Sequence, residues 1–340
     1  MGNVVVGLSG GVDSAYACYL LKEMGFSVFG CYLKFCETPL SKIQLLSAKR
    51  ISEIFSIPFF ILDCRKIFEK RVVNYFVKEY KNGRTPNPCV ICNELVKFPV
   101  LIKFAKEKKA IVATGHYAKI SKYNEKFILC EAKDKMKDQS YFLYRLKQFQ
   151  LKNIIFPLGD VLKEEISKFK IFKDLEFPPE SQDICFLTNK NYRIFLKEKL
   201  PHLFKEGLIV DERGNILGKH SGIVNYTVGQ RRGLKIYNKA PYYVKRILAL
   251  KNIIVVSRRE NLLRQSFYIT NCNWILDPLS ERKLEVKIRY KAIKKAAKVK
   301  KIKNNIYLVI LSEPYQFITP GQSAVFYSEE KVIGGGLIKC

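Results

Sequence analysis

The opening fourteen residues constrain the fold more than any other feature of the chain. Val4, Val5 and Val6 form a short β-branched run of the kind buried in a parallel sheet. The run ends in Gly7, Leu8, Ser9, Gly10, Gly11, Val12, Asp13 and Ser14, and a helical pattern follows over residues 15–22, stopping near Gly25. Strand, glycine-rich loop and helix in that order turn backbone N–H groups toward an anion. Gly10 and Gly11 let the backbone approach phosphate oxygens with no Cβ in the way, Ser9 and Ser14 add hydroxyl donors, and Asp13 opens the helix where it would face a metal ion. No Gly-Lys-Ser/Thr closes the loop, so it is not a Walker A loop, and the dinucleotide pattern Gly-x-Gly-x-x-Gly is absent. Gly7-Leu8-Ser9-Gly10-Gly11 does match the Gly-x-Ser-x-Gly nucleophile elbow. That elbow needs strands before it, and only six residues precede Gly7, so no hydrolase is expected.

Strand and helix patterns then alternate. Residues 27–33, 59–62 and 110–114 read as strands, and 43–55, 68–80 and 100–108 as helices, with a loop over 81–93. Such alternation predicts a parallel sheet covered on both faces. Beyond about Pro201 the pattern changes. Two apolar triplets flank Asp211-Glu212-Arg213-Gly214, a hairpin signal, and Leu284, Val286, Ile288 and Tyr290 alternate with polar residues. Further short strands are expected at 306–311, 324–327 and 332–333. The fold class is therefore α/β followed by two small mainly-β domains, with expected limits 1–205, 206–265 and 266–340. Pro178-Pro179 marks a loop inside the first domain.

Charge bears on the partner. Sixty Lys and Arg against thirty-one Asp and Glu give a net +29, which suits a polyanion. Because 45 of the 60 are Lys, composition alone leaves a plain solvated surface open. Residues 282–303 hold eleven basic residues opposed only by Glu285, a candidate track for a nucleic-acid backbone. No run approaches the roughly 18 apolar residues of a membrane helix. No signal peptide or myristoylation pattern opens the chain, so a cytoplasmic location and no membrane partner are expected.

Ten cysteines in 340 residues are too few for a disulfide scaffold, so those that matter should be ligands or nucleophiles. Cys18, Cys31, Cys64, Cys130 and Cys272 read as small buried hydrophobes. Cys89 and Cys92 do not, because they sit in the polar, proline-containing segment Thr85-Pro86-Asn87-Pro88-Cys89-Val90-Ile91-Cys92-Asn93. Cys185 lies in a second polar segment after Pro178-Pro179. A lone Cys-x-x-Cys points to metal or redox work, and without a second one a four-cysteine zinc site is not expected.

The run Ser9 to Ser14 resembles the pyrophosphate (PP) loop of ATP pyrophosphatases, which cut ATP between the α and β phosphates and transfer AMP to a substrate oxygen. The loop alone leaves amidotransferase-type synthetases and sulfur-transfer enzymes open. Further blocks narrow it: Ala113-Thr114-Gly115-His116-Tyr117-Ala118, Lys137-Asp138-Gln139-Ser140-Tyr141-Phe142, Ile184-Cys185-Phe186, Gly218-Lys219-His220, Tyr226-Thr227-Val228-Gly229-Gln230-Arg231, Ile288-Arg289-Tyr290 and Thr319-Pro320-Gly321-Gln322. With the loop and the Cys89-x-x-Cys92 segment they resemble, from end to end, the tRNA-specific 2-thiouridylases.

That resemblance implies a PP-loop catalytic domain of adenine-nucleotide hydrolase type. It implies ATP at Gly7, Leu8, Ser9, Gly10, Gly11, Val12, Asp13 and Ser14, with Leu33 and Gly115 on the adenine side. Asn87, Pro88 and Cys89 would face the target base. Cys185 would carry a persulfide, and Cys92 would be the nucleophile that resolves it. His116, Lys137, Asp138, Gln139, Arg289, Tyr290 and Gln322 would contact tRNA. Some members of the family have Asp where this chain has Cys89, and the acid/base role attributed to it there does not carry over directly.

The reaction implied is ATP-dependent 2-thiolation of wobble uridine 34, in Glu, Gln and Lys acceptor tRNAs. Mg²⁺ would stand near Asp13, a persulfide donor protein such as a cysteine desulfurase or relay would supply sulfur, and a Cys92–Cys185 disulfide would remain. In a competing scheme Cys89, Cys92 and Cys185 hold an iron–sulfur cluster. The rival functions are another adenylating PP-loop enzyme acting on a small molecule and a non-catalytic RNA-binding protein.

Overall fold

The structure is a computed structural model, and it describes residues 2–123, 125–169, 177–179, 184–187, 191–236, 240–281 and 283–339. In chain order the first elements are β1 (Asn3–Gly7), α1 (Val12–Glu23), β2 (Ser27–Lys34), α2 (Pro39–Ile54), β3 (Phe59–Asp63), α3 (Arg65–Phe68) and α4 (Asn74–Lys81). Then come α5 (Pro88–Cys92), α6 (Phe98–Glu107), β4 (Ala110–Thr114), β5 (Lys119–Tyr123), β6 (Lys126–Cys130), α7 (Gln148–Leu151), β7 (Ile154–Ile155), α8 (Lys163–Ser167) and α9 (Tyr192–Lys199). The rest is β: β8 (Gly207–Val210), β9 (Ile216–His220), β10 (Tyr243–Leu248), β11 (Ile253–Ser257), β12 (Arg264–Trp274), β13 (Glu285–Lys287), β14 (Lys295–Lys303), β15 (Ile306–Tyr315), β16 (Ser323–Ser328) and β17 (Lys331–Lys339). Among the described residues no helix is long and apolar enough to cross a membrane.

Two compact units emerge: Met1–Val72, Cys89–Thr188 and Glu329–Ile333 form one, and Val73–Pro88, Asn189–Ser328 and Gly334–Cys340 the other. The first is built on a parallel sheet of order β3-β2-β1-β4-β7. Its central strand explains the valine run, since Val4, Val5 and Val6 are all fully buried. Each contributes about 1.5–3 kcal/mol relative to an exposed side chain. Helix α1 packs Ala15, Cys18 and Leu21 onto that sheet together with Ala48 and Ile51 of α2. Gly25, at φ +76°, turns the chain away after α1. Helix α2 starts on a reciprocal cap: Ser41 N–H donates to Thr38 Oγ1 (3.0 Å), and Thr38 N–H donates to Ser41 Oγ (2.8 Å). Strands β2 and β3 lie on one side of β1 and β4 on the other, so the chain reverses its direction of travel between β1 and β4. Ligands of open parallel sheets bind beyond the strand ends at such a reversal.

The second unit is mainly β. Strands β10-β11-β8-β9 form a four-stranded sheet, with β8 and β9 paired as the expected hairpin. Strands β12-β15-β14-β13-β16-β17 run in series, and β12 also pairs with β17, closing a barrel.

Three elements differ from their sequence signals. The helix expected over 68–80 is interrupted by a π-helical turn at Glu69–Val73 before α4. The loop expected over 81–93 contains α5, because Pro88 presets φ for a first helical position and has no N–H to leave unpaired there. The strand expected at 332–333 runs from Lys331 to Lys339. Its glycines resemble breakers in sequence, but a Cβ on Gly334 would stand 2.3 Å from the Asn273 carbonyl oxygen of β12. They mark close strand approach rather than a strand end.

Candidate active site

The loop between β1 and α1 is a closed network of short contacts. Ser14 Oγ donates to the Gly11 carbonyl (2.8 Å), accepts from Ser9 N–H (3.2 Å) and lies 3.3 Å from Ser9 Oγ. Ser47 Oγ of α2 donates to the Gly10 carbonyl at 2.7 Å. Gly10 has φ +82°, and a Cβ there would stand 2.2 Å from the Gln44 carbonyl oxygen. Gly115, just beyond β4, faces the same loop, since a Cβ on it would lie 2.9 Å from Asp13 C and Ser14 N. Leu33 is half-buried near the end of β2. The ten residues read as nucleotide-binding are thus gathered at the adjacent ends of β1, β2 and β4.

Asp13 has partners that local sequence did not reveal. Its Oδ1 accepts from Tyr117 Oη (2.8 Å) and from Lys163 Nζ (2.6 Å). Tyr117 is buried beside Ala17 of α1 and Ile166 of α8. Lys163 opens α8, and its backbone N–H donates to Asp134 Oδ2 at 3.1 Å. One lysine among 45 carries no local mark, and only the packing of α8 brings it to Asp13.

The thiols form the second half of the site. Cys89 is exposed on α5, and Cys92, one turn on, is buried. A π-helical turn, Asn93–Lys97, follows and is braced twice. Asn93 Nδ2 donates to the Phe142 carbonyl (3.1 Å), and Glu94 forms a buried two-pronged bridge with Arg145 at 2.5 and 3.0 Å. The turn aims Lys97 at two neighbours. Its Nζ stands 3.5 Å from His116 Nε2, while His116 Nδ1 lies 2.7 Å from Thr114 Oγ1. Burial, then the Lys97 charge, holds His116 well below its usual value, leaving a neutral imidazole. Lys97 also offers its charge and a backbone N–H to Cys92, against burial that pushes that thiol up to about 12.

Cys185 as a residue is exposed, yet protein atoms crowd its sulfur. Desolvation, then Cys92, Cys89 and Cys36, raise it well above the usual value, with Lys97 opposing. All nine described cysteines are thiols rather than disulfides. Of the segment before Cys185, residues 180–183 lie outside the described residues, as does residue 282 of the basic run.

The residues read as tRNA contacts divide. His116 is drawn into the site as above. Asp138 is buried and spends its carboxylate on Ala132 N–H (3.0 Å), Ser140 N–H (3.3 Å) and Ser140 Oγ (2.9 Å). Gln139 Oε1 accepts from Tyr117 N–H at 3.0 Å, so both residues hold the loop around Tyr117. Lys137 is half-buried beside Asp134, to whose Oδ1 its N–H donates (3.2 Å).

In the second unit, Arg289 is exposed and donates to Thr319 Oγ1, and half-buried Tyr290 follows it. Gln322 Nε2 donates to the Thr85 carbonyl at 2.8 Å, and Asn87 and Pro88 lie just beyond Thr85 in the chain. This unit also holds a cleft of about 410 Å³ where Arg84, Lys245, Arg246 and Arg264 surround Ile247 and Phe317. The basic run 282–303 provides strand β14, with Lys298 and Lys300 exposed.

Three family profiles match the chain in succession: "tRNA methyl transferase HUP domain" over residues 2–189, "tRNA methyl transferase PRC-barrel domain" over 193–258 and "Aminomethyltransferase beta-barrel domain" over 264–338. The tRNA-specific 2-thiouridylase MnmA of Halothermothrix orenii is 42% identical over 357 residues, covering 100% of this chain and 99% of that protein. A tRNA-specific 2-thiouridylase of Clostridium botulinum (strain Langeland) is 39% identical over 347 residues, covering 99% and 98%. Among solved structures, the U34-tRNA thiolase NcsA of Methanococcus maripaludis, with its 4Fe–4S cluster, aligns over 58% of this chain and 66% of that chain. The two are 18% identical, with a TM-score of 0.37.

Proposed function

The chain belongs to the tRNA-specific 2-thiouridylase family, and from that premise we infer that it makes 2-thiouridine in tRNA at the expense of ATP, acting on uridine 34. One observation supports this reading above the rest. Within a single unit, Gly115 presses on the phosphate loop, the adjoining His116 meets Lys97, and Lys97 faces Cys92 and Cys185. A loop suited to ATP and a set of thiols therefore share one site, as adenylation followed by sulfur transfer requires.

The C2 carbonyl of uracil has no leaving group. Transfer of AMP from ATP to its oxygen supplies one, while the N–H groups of residues 9–14 hold the departing pyrophosphate. Asp13 would hold Mg²⁺ together with the nucleotide, and that ion would neutralise phosphate charge. Cys185 carries the transferable sulfur as a persulfide received from a donor protein. The terminal sulfur attacks C2, and AMP leaves. Cys92 then attacks Cys185 Sγ, breaking its bond to the transferred sulfur and leaving a Cys92–Cys185 disulfide. Among the described residues no three His, Cys, Asp or Glu side chains are grouped to hold a metal ion. The persulfide route needs only Cys92 and Cys185, with no step assigned to Cys89. Neutral His116 brings no charge to the tRNA backbone, and its Nε2, 3.5 Å from Lys97 Nζ, orients that lysine. Arg289, the basic cleft and β14 suit the tRNA backbone. The work belongs in the cytoplasm, where unmodified tRNA is found.

Incubation with unmodified Glu, Gln or Lys tRNA, ATP, Mg²⁺ and a persulfide donor, followed by nucleoside mass spectrometry, tests this. The expected products are 2-thiouridine at position 34 and AMP in equal amounts. AMP formation without RNA, or tight tRNA binding with no thiolation, would replace it with one of the rival functions.

A further inference from the structure

Cys36 belongs to none of the motifs, yet it stands beside Cys185. It follows the end of β2, and its Sγ lies 3.6 Å from the Cys185 carbonyl oxygen. Aromatic packing fixes this neighbourhood. The ring of Phe35, just before Cys36, is 5.0 Å from Phe68, and the ring of Phe186, just after Cys185, is 5.8 Å from the same Phe68. Phe68 is buried, so one core ring pins both cysteine-bearing segments. Cys36 is half-buried, whereas Cys92 is only 8% exposed.

We propose that Cys36 is a second disulfide partner of Cys185, which takes over the bond left by sulfur transfer and presents it to an external dithiol. The proposal rests on the roles given above to Cys92 and Cys185. A reductant must approach a sulfur along the S–S axis. In a Cys92–Cys185 disulfide one sulfur is buried. In a Cys36–Cys185 disulfide the Cys36 sulfur, on a half-buried residue, is the one a dithiol reaches, since protein atoms crowd the Cys185 sulfur. The exchange balances without any oxidant. The Cys36 thiolate attacks Cys185 Sγ, the Cys36–Cys185 bond forms, and the Cys92–Cys185 bond breaks. The electron pair leaves on Cys92, which takes up a proton equivalent to the one Cys36 gave up. The Lys97 charge and backbone N–H already face Cys92 and stabilise the departing thiolate. A protein dithiol, or dithiothreitol, then supplies two electrons and two protons to Cys36 and Cys185 and becomes a disulfide itself.

The test uses the full chain, persulfide-loaded, in one turnover with ATP and tRNA but no reductant, quenched with N-ethylmaleimide and mapped by peptide mass spectrometry. The parent should yield a Cys36–Cys185 peptide. Cys36→Ala should stop at Cys92–Cys185 with the first-turnover amplitude retained, and its steady-state rate at limiting dithiothreitol should fall at least about fivefold. A parent that keeps Cys92–Cys185 with Cys36 alkylated, or a Cys36→Ala variant with the parent's steady-state rate, overturns the proposal. A second arm needs no tRNA. Cys92→Ala treated with one equivalent of diamide should form Cys36–Cys185, and recovery of Cys36 as an alkylated thiol overturns the pairing. Absence of 2-thiouridine in the parent's first turnover is instead a failure of the functional reading, and the diamide arm still decides the cysteine pair.

Discussion

The phosphate loop and the thiol cluster sit in the same unit but are built in opposite ways. The loop is one continuous stretch whose donors are mostly backbone, fixed by a strand before it and a helix after it. Its outside supports are small and close: Ser47 on the Gly10 carbonyl and Gly115 against Asp13 and Ser14. The thiol cluster comes from three separated segments, around residues 36, 89–97 and 185, and its parts are side chains. A site of backbone amides is preformed once its strand and helix exist. A site of side chains depends on every segment that carries one, here on the Phe68 packing and the Glu94–Arg145 bridge.

The contrast predicts separable failures. Cys185→Ala should lower 2-thiouridine formation by at least about 10³-fold while leaving tRNA-dependent ATP–pyrophosphate exchange in place. Loss of exchange as well would mean that the two halves do not act separately.

The Cys92 thiol gives the next largest effect. Burial raises its pKa, so less thiolate is present at any pH below it. At pH 8 a thiol at about 12 holds about 10³-fold less thiolate than one at its ordinary value of 9.0. Iodoacetamide should therefore alkylate Cys92 in the free enzyme at least about a hundredfold more slowly than a model thiol. Its rate should keep rising about tenfold per pH unit beyond pH 9, where the model thiol levels off. A plateau near pH 9 would show an unburied thiol.

Gly115→Ala probes the loop half. Its Cβ would meet Asp13 and Ser14 backbone atoms at 2.9 Å, so the loop must shift. ATP affinity measured by calorimetry should fall several tens-fold, with persulfide loading of Cys185 unchanged. Lys163→Met removes the ammonium that fixes the Asp13 carboxylate, the group that would hold Mg²⁺ beside the phosphates. The KM for ATP should rise about tenfold, or about 1.4 kcal/mol, with tRNA affinity held. A lower melting temperature with unchanged KM would make the ion pair purely structural.

The smallest effect lies outside this unit. Arg289→Ala should weaken tRNA binding a few-fold and reduce the slope of log affinity against log salt by about one. An unchanged slope would remove Arg289 from the phosphate contacts.

Local sequence determined much here because local chemistry suffices for it. Val4, Val5 and Val6 demand burial, Gly10 meets the positive φ its turn requires, and strand, loop and helix follow one another within the first 23 residues. The alternation of strands and helices likewise gave the parallel sheet, and the order of motifs gave the family. The tertiary structure decided what depends on contacts distant in sequence. Asp138 and Gln139 lie in a motif read as tRNA-contacting, and the fold sends the buried Asp138 carboxylate to Ala132 and Ser140 and the Oε1 of half-buried Gln139 to Tyr117. Lys163 gained its place by the packing of α8 against α1, 150 residues from its partner Asp13. Cys36, one thiol among ten in the sequence, gained its place because Phe35 and Phe186 meet the same buried ring. A side chain's chemistry is written in its own residue, but its neighbours are set by how the whole chain buries its apolar surface, and no window of sequence contains that.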